Sequence, residues 1–198
     1  MGVIGKDFDY KLIKKFLNKE EVKLLTKYCE IKHRTNVRYF DPLNNVEDTY
    51  IYGDPIFDSM LTVKQALMEK VTGYKLLPTY SFWRMYTKHS VLKKHVDRPS
   101  CEISATINIG SDGSTEWPIY MNKTPVHTKP GDAAVYLGAK IPHYRKPFEG
   151  DWSAQVFLHY VKKDGPHKNQ YMDKRPYWGL ASTQSTVAPI AEIKKKEW

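Results

Sequence analysis

The chain has 198 residues, of which 41% are hydrophobic and 13% aromatic. This composition predicts a single globular domain with a sizeable core, and it excludes an intrinsically disordered chain. The net charge of +9 and the isoelectric point of about 9.3 favour anionic partners. Nucleic acid, an acidic protein surface and a carboxylate metabolite all meet that description, so charge alone does not identify the partner.

Cysteine usage and hydropathy limit where the protein works. The two cysteines, Cys29 and Cys101, form no CxxC motif, and we find no secretory leader. These features predict a reduced, cytoplasmic protein without a disulfide framework or a zinc knuckle. No run of about 18 apolar residues is present, so the sequence predicts no membrane span.

The first part of the chain, residues 1–78, predicts helices and loops that support a larger unit. Asn18 followed by Glu21 is typical of a capping box, which begins a helix. The apolar stripe of this helix would consist of Val22, Leu24, Leu25 and Tyr28.

A second helix is predicted over residues 59–70, and Gly73 fits the position just after its end. Its buried face would consist of Met60, Val63, Leu67 and Val71. Residues 34–53, which lie between the two helices, are rich in Asn, Asp and Tyr and indicate either a long loop or a weak pair of strands.

Residues 79–161 change to a pattern of short strands with no helix between them. The clearest strand covers residues 102–109, where Ile103, Ala105, Ile107 and Ile109 alternate with polar residues. Further strands are predicted at 80–86, 117–121, 133–137, 141–145 and 152–161. Such spacing indicates an antiparallel sandwich or small barrel. Residues 162–198 are rich in Lys, Pro, Asn and Gln and predict a surface extension that is partly disordered.

A candidate metal site begins with His95 and Asp97. Residues at i and i+2 of an extended segment point to the same side, so an imidazole and a carboxylate would lie together there. His143, on the predicted penultimate strand, would be the third ligand. Two histidines and one carboxylate cover one face of an octahedral ferrous ion and leave its other positions open.

Several short motifs agree with this site when they are taken together. Tyr86 lies nine residues before His95, a Pro-Gly-Asp turn ends at Asp132, and the segment 150–157 follows His143. Over residues 50–161 this pattern resembles the Fe(II)- and 2-oxoglutarate-dependent dioxygenases, and within them the prolyl-hydroxylase-like branch.

The resemblance implies a mostly β fold with supporting α-helices, namely a double-stranded β-helix (a jelly-roll or cupin-like core) buttressed by the N-terminal helices. It implies that His95, Asp97 and His143 are catalytic and ligate Fe(II), with 2-oxoglutarate as cosubstrate and O₂ as oxidant. The reaction would hydroxylate a C–H bond of a peptidyl or free amino acid, such as proline, and release succinate and CO₂. Because Asp97 occupies the carboxylate position, the halogenase variant of the family is disfavoured.

The site for the distal carboxylate of 2-oxoglutarate departs from the family pattern. Family members commonly have Arg or Lys about ten residues after the last histidine, and this chain has Ser153 there. A buried carboxylate needs a cation or several donors. The residues that we expect to bind the cosubstrate instead are Tyr86, Arg145, Arg84, Ser153 and Gln155.

Two other functions remain open from the sequence. The first is nucleic-acid demethylation, suggested by the net charge, although the paired arginines of that branch are missing because Asp151 lies six residues beyond Arg145. The second is a metal-binding β-sandwich without catalysis that acts as a binding module, suggested by the missing basic residue at Ser153. The remaining histidines have no partner at ligand spacing and are interpreted as ordinary residues: His33, His89, His127, His159 and His167.

Overall fold

Two antiparallel β-sheets packed face to face form the centre of the fold in a computed structural model, which describes residues 9–35, 39–41 and 46–179. The strands are β1 (Tyr10–Ile13), β2 (Tyr39–Asp41), β3 (Val46–Tyr52), β4 (Leu76–Thr87), β5 (Leu92–His95), β6 (Ile103–Ser111), β7 (Ile119–Met121), β8 (Thr124–Val126), β9 (Ala133–Tyr136), β10 (His143–Arg145) and β11 (Trp152–Lys162). The large sheet has the order β1-β9-β6-β11-β4-β3-β2, and the small sheet has the order β5-β10-β7-β8. This arrangement confirms the mostly β expectation.

Helices cover the outer face of the large sheet. They are α1 (Lys19–Thr35), α2 (Pro55–Val63) and α3 (Gln65–Thr72), and two short 3₁₀ segments lie at Pro99–Cys101 and Lys168–Lys174. The apolar core lies between these helices and the sheet. The helices therefore buttress the sheet, as the sequence predicted, and leave its other face to the small sheet.

The two faces of the large sheet differ in chemistry. On β6, the four alternating residues Ile103, Ala105, Ile107 and Ile109 are fully buried in the apolar core, which confirms their predicted face. Because successive side chains of a strand point to opposite faces, the intervening Ser104, Thr106 and Asn108 point between the two sheets. The inner face of β6 is therefore polar, whereas the inner side of β9 joins a small apolar cluster with strands of the small sheet.

The predicted start of the first helix and the predicted end at Gly73 are right, whereas parts of the predicted buried faces are wrong. The capping box of α1 is confirmed, since the Asn18 N–H donates to Glu21 Oε2 over 2.7 Å and the Glu21 N–H donates to Asn18 Oδ1 over 2.9 Å. Gly73 ends α3 with a φ of 75°. Leu24 and Val63, however, are 64% and 74% exposed.

The single helix predicted over residues 59–70 is wrong, because the chain forms α2 and α3 with a break at Lys64. Lys64 has φ −82° and ψ −2°, which is outside the α-helical range. Met60 and Val63 both lie in α2 before the break; Met60 is buried, whereas Val63 at the last position of α2 faces solvent.

Both the N-terminal and the C-terminal parts of the chain take part in the large sheet or pack against it. In the N-terminal part, β1 pairs with β9 and β3 pairs with β4, so the strand-pair interpretation of residues 34–53 is the one that the structure shows. In the C-terminal part, residues 168–179 pack on β4 and β11. Residues 180–198, which include the predicted lysine-rich tail, lie outside the described residues, and the division into segments at 79 and 162 stays a prediction.

Both cysteines are free and buried. None of the described helices combines the length and the apolar character needed to cross a membrane.

We expect Arg175→Met to lower the free energy of unfolding by about 3 kcal/mol or more. Arg175 donates to Asp58 Oδ2 over 2.7 Å, and the Asp58 side chain is fully buried, so the substitution would leave an uncompensated charge in the interior. Urea denaturation followed by fluorescence measures the change. Lys168→Met, at an exposed position of the same segment, is the control, and equal stability of the two variants would contradict the assignment.

Candidate active site

Three residues that are distant in sequence meet at the first strands of the small sheet. His95 ends β5 and lies directly opposite His143 on β10, and Asp97 follows β5. The Asp97 N–H donates to the carbonyl of Gly138 over 2.9 Å, which fixes the chain just after the strand. The side-chain donor atoms of His95, Asp97 and His143 all lie within 4.8 Å of one another.

The hydrogen bonds of the two histidines determine which ring atom is available to a ligand. His95 Nδ1 lies 2.7 Å from the carbonyl of Lys93, and His143 Nδ1 lies 2.8 Å from the carbonyl of Ile141. A carbonyl only accepts, so Nδ1 carries the proton in both rings and Nε2 of the neutral ring has a lone pair.

Both of these Nε2 atoms face the same carboxylate oxygen. Asp97 Oδ1 lies 3.5 Å from Nε2 of His95 and 3.4 Å from Nε2 of His143. Three lone pairs directed into one small space repel one another unless a cation or a proton lies between them. Two imidazoles and one carboxylate are a suitable donor set for ferrous iron, and imidazoles held through Nδ1 are typical of metal sites.

The pKa values of Asp97 and His95 reflect how close their side chains lie to each other. Burial on its own would raise the pKa of Asp97, but the hydrogen bonds from His143 and His95 outweigh burial and hold the pKa well below its usual range. The hydrogen bond to Asp97 raises the pKa of His95. The carboxylate therefore favours the protonated form of His95, and a metal ion would have to displace that proton.

The cluster opens to solvent on one side. His143 is 2% exposed, whereas the His95 side chain is 40% exposed and the neighbouring Val96 is 50% exposed. A second molecule can therefore approach the three donor atoms past His95.

A buried cation lies two residues beyond His143 on the same strand. Arg145 is fully buried, and its guanidinium lies 4.8 Å from the centre of the Trp117 ring and donates to the Trp117 carbonyl. It also donates to Gln155 Oε1 over 3.2 Å. Burial lowers the pKa of Arg145 to about 10, so the group keeps its charge at neutral pH. No carboxylate in the part of the chain that the structure describes pairs with it, and its Nε has no hydrogen-bond partner there.

Polar groups continue from Arg145 into a cavity of about 280 Å³. Gln155 donates to Ser153 Oγ over 3.1 Å, and both residues line this cavity with Asn108 and Trp117. One buried oxygen of this lining, Asn108 Oδ1, has no hydrogen-bond partner among the described residues. Buried polar atoms normally have partners, so a polar ligand fits this space.

Tyr86 and Arg84, the remaining two residues expected to bind the cosubstrate, differ in the partners that their side chains contact. Tyr86 is buried, lies opposite Ser153 and contacts the edge of Trp117 at 4.8 Å between ring centres. Arg84 already has a buried counter-ion, since its Nε donates to Asp48 Oδ2 over 2.7 Å. The structure thus brings Tyr86 to the Arg145 cluster, while the assignment of Arg84 stays a prediction with less support because its charge is neutralised.

Sequence reasoning missed a pair of residues behind Asp97. Ser104 and His159 lie opposite each other on β6 and β11, and His159 Nδ1 is 2.8 Å from Ser104 Oγ. Ser104 Oγ is in turn 3.2 Å from Asp97 Oδ2. Burial lowers the pKa of His159 to about 4, so its ring is neutral. From the sequence, His159 is interpreted as an ordinary residue without a partner at ligand spacing, but its ring lies within 4.8 Å of donor atoms of Asp97 and Cys101. Its place on an inward face of β11 is the signal that could have found it.

We expect the affinity for Co(II) to fall as the pH is lowered from about 8 to about 6. Metal binding requires a neutral His95, and the raised pKa of His95 means that it keeps its proton to higher pH than a free histidine. Isothermal titration calorimetry measures the affinity at each pH. His127→Ala, at an exposed histidine that contacts Glu116, should leave the profile unchanged. A pH-independent affinity, or an unaltered profile in His95→Ala, would contradict this interpretation.

Comparisons with known proteins support the fold. No family model and no curated protein sequence matches the chain. A prolyl-4-hydroxylase of Pseudomonas putida has a similar structure, with a TM-score of 0.62 at 14% identity over 79% of this chain and 94% of that chain. The viral collagen prolyl hydroxylase of Paramecium bursaria Chlorella virus-1, solved as a 2-oxoglutarate complex, gives 0.59 at 13% identity over 78% and 96% of the two chains.

A third similar structure is HygX from Streptomyces hygroscopicus, solved with nickel, 2-oxoglutarate and hygromycin B bound. Its TM-score is 0.62 at 14% identity, over 79% of this chain and 84% of HygX. The two sheets, their topology and these three structures agree with one another. The chain therefore has the double-stranded β-helix fold of the Fe(II)- and 2-oxoglutarate-dependent oxygenases, which confirms at the level of the fold the resemblance to the prolyl-hydroxylase-like branch.

Proposed function

We propose that this protein is an Fe(II)- and 2-oxoglutarate-dependent oxygenase that hydroxylates a C–H bond of its substrate and releases succinate and CO₂. The observation that carries the proposal is the convergence of His95 Nε2, His143 Nε2 and Asp97 Oδ1 on one point within the oxygenase fold. These three atoms repel one another unless a cation or a proton lies between them, and a divalent ion would satisfy all three at once.

His95, Asp97 and His143 would hold the iron. Two neutral imidazoles and one carboxylate bind a divalent ion without cancelling its charge, so an anionic cosubstrate is still attracted to it. The Nδ1 hydrogen bonds to Lys93 and Ile141 hold both rings in place before any ligand arrives. When bound, iron with 2-oxoglutarate and O₂ supplies the oxidising power that breaks the C–H bond.

Arg145 would bind the distal carboxylate of 2-oxoglutarate, with help from Gln155, Ser153 and Tyr86. A buried guanidinium without a carboxylate partner has a strong need for an anion, and charge-assisted hydrogen bonds are the stronger kind. The position of Arg145 on the same strand as His143 supports one ligand bridging the metal site and the cation.

The prime substrate would be a peptidyl or free amino acid, such as proline, or another small molecule. The similar structures point in both directions, since two are prolyl hydroxylases and the third was solved with hygromycin B. The exposed side at His95 and Val96 gives such a molecule access, and the net charge of +9 favours an anionic one.

The binding-module alternative loses its motivation in this fold. It rested on the missing basic residue at Ser153, and Arg145 supplies a cation that contacts the same group of residues through Gln155. Arg145 would supply this cation from β10 of the small sheet instead of from the last strand, and the proposed cosubstrate site would keep its charge.

Turnover of 2-oxoglutarate to succinate in the presence of Fe(II) should be measurable for the wild-type protein. We expect His95→Ala and Asp97→Ala to abolish it, because each removes a donor atom from the metal site. Succinate is quantified by mass spectrometry, and His127→Ala serves as the control. A wild-type protein that binds no iron at all would refute the proposed function.

Arg145→Met should weaken 2-oxoglutarate binding by about tenfold or more, since a hydrogen bond to a charged group contributes about 1.5–3 kcal/mol. The affinity is measured without oxygen on the Fe(II)-loaded protein, from the metal-to-ligand charge-transfer band. Lys146→Met removes an exposed cation at the next position and is the matched control. If both variants bind 2-oxoglutarate like the wild type, Arg145 is not the anchor.

A further inference from the structure

We propose that Ser104 and His159 are positioning residues that hold the Asp97 carboxylate so that only one of its oxygens faces the metal site. This inference rests on the proposed function. Neither residue faces the two imidazoles directly, and their effect on the site passes through Asp97.

The direction of the hydrogen bonds follows from the groups involved. Ser104 Oγ lies 3.2 Å from Asp97 Oδ2, 3.2 Å from the carbonyl of Cys101 and 2.8 Å from His159 Nδ1. The first two neighbours only accept, and a serine hydroxyl has one proton to donate. The hydroxyl therefore shares its proton between Asp97 Oδ2 and the Cys101 carbonyl, and His159 Nδ1–H donates to Ser104.

The hydrogen bonds from His159 to Ser104 and from Ser104 to Asp97 form a relay, and its first member, His159, is held rigidly. Ser104 and His159 face each other across β6 and β11, which are two central strands of the large sheet. The His159 ring lies 4.5 Å from the Tyr80 ring between centres, and it is 5% exposed. A donor held in this way can keep the hydroxyl of Ser104 directed at Asp97.

Gly138 closes the space on another side of the carboxylate. A Cβ at this position would lie 2.4 Å from Asp97 Oδ2 and 2.6 Å from Ser104 Oγ, so only glycine leaves room for the hydrogen bond between them. The carbonyl of Gly138 also accepts from the Asp97 N–H. Asp97 is thus fixed through its backbone, and its Oδ2 is fixed through Ser104.

The consequence concerns how many positions on the metal remain open. A carboxylate that binds through one oxygen leaves three positions of an octahedral ion free beside the two imidazoles, while one that binds through both oxygens leaves two. The proposed cosubstrate needs two positions and O₂ needs one. By engaging Oδ2, Ser104 prevents Asp97 from taking the third.

The test uses the full-length protein with three readouts. Ser104→Ala and His159→Phe break the relay, and His159→Asn keeps a donor near the place of Nδ1 while removing the ring. For each variant, Co(II) affinity and the Co(II) visible absorption spectrum are measured without 2-oxoglutarate. The affinity for 2-oxoglutarate is then measured on the Fe(II)-loaded protein without oxygen.

We expect Ser104→Ala and His159→Phe to bind Co(II) and to show an altered Co(II) spectrum, since the carboxylate can now bind through both oxygens. Their affinity for 2-oxoglutarate should fall by about 10- to 100-fold, the range found for residues that orient metal ligands. His159→Asn should stay within about threefold of the wild type, because it restores the donor.

Unchanged Co(II) spectra in Ser104→Ala and His159→Phe would overturn the inference, and so would equal losses in His159→Asn and His159→Phe. The proposed function is refuted by a different result, namely if the wild-type protein loaded with Fe(II) shows no metal-to-ligand charge-transfer band when 2-oxoglutarate is added. In that case the Co(II) spectra still decide whether Ser104 and His159 position Asp97.

Discussion

The structure depends on an arrangement that would be unfavourable in an empty site. Nε2 of His95 and Nε2 of His143 both face Asp97 Oδ1, and the hydrogen bonds at Nδ1 prevent either ring from turning away. Without a cation or a proton between these atoms, the cluster would cost free energy that the rest of the fold must offset. Preorganised donors reduce what must be reordered when an ion binds, so the cost is consistent with selection for metal binding.

The division of the large sheet into two chemically different faces offsets this cost. Its outer face packs apolar residues such as Ile107 and Val156 against the helices, and this core supplies the stability. Its inner face can then carry polar residues, including Thr106 and Gln155, whose burial adds little or no stability. Because side chains along one strand point alternately to the two faces, the residues that stabilise the fold are separated from those that form the site.

Much of the fold and part of the site could be predicted from the sequence, because both rest on short-range patterns. The apolar alternation in β6 and the HxD motif are local patterns. The alternation of side chains between the two sides of an extended segment is enough to interpret them. The contact between Ser104 and His159 depends on the pairing of β6 with β11, which no local pattern specifies. The break at Lys64 was missed for a related reason, since Met60 and Leu67 fit one helical period even though two helices carry them.

The proposed role of Arg145 would mean that the same chemistry survives a change of strand. A carboxylate site requires a positive charge and donors at a given place, and the strand that supplies them is of no consequence. His143 and Arg145 are separated by one residue, with a register irregularity in the pairing of β10 with β5 between them. Their separation is therefore set by the backbone of one short strand. A cation on β11 would be related to His143 only through strand packing, so the arrangement found here couples the metal ligand and the proposed anion site more directly.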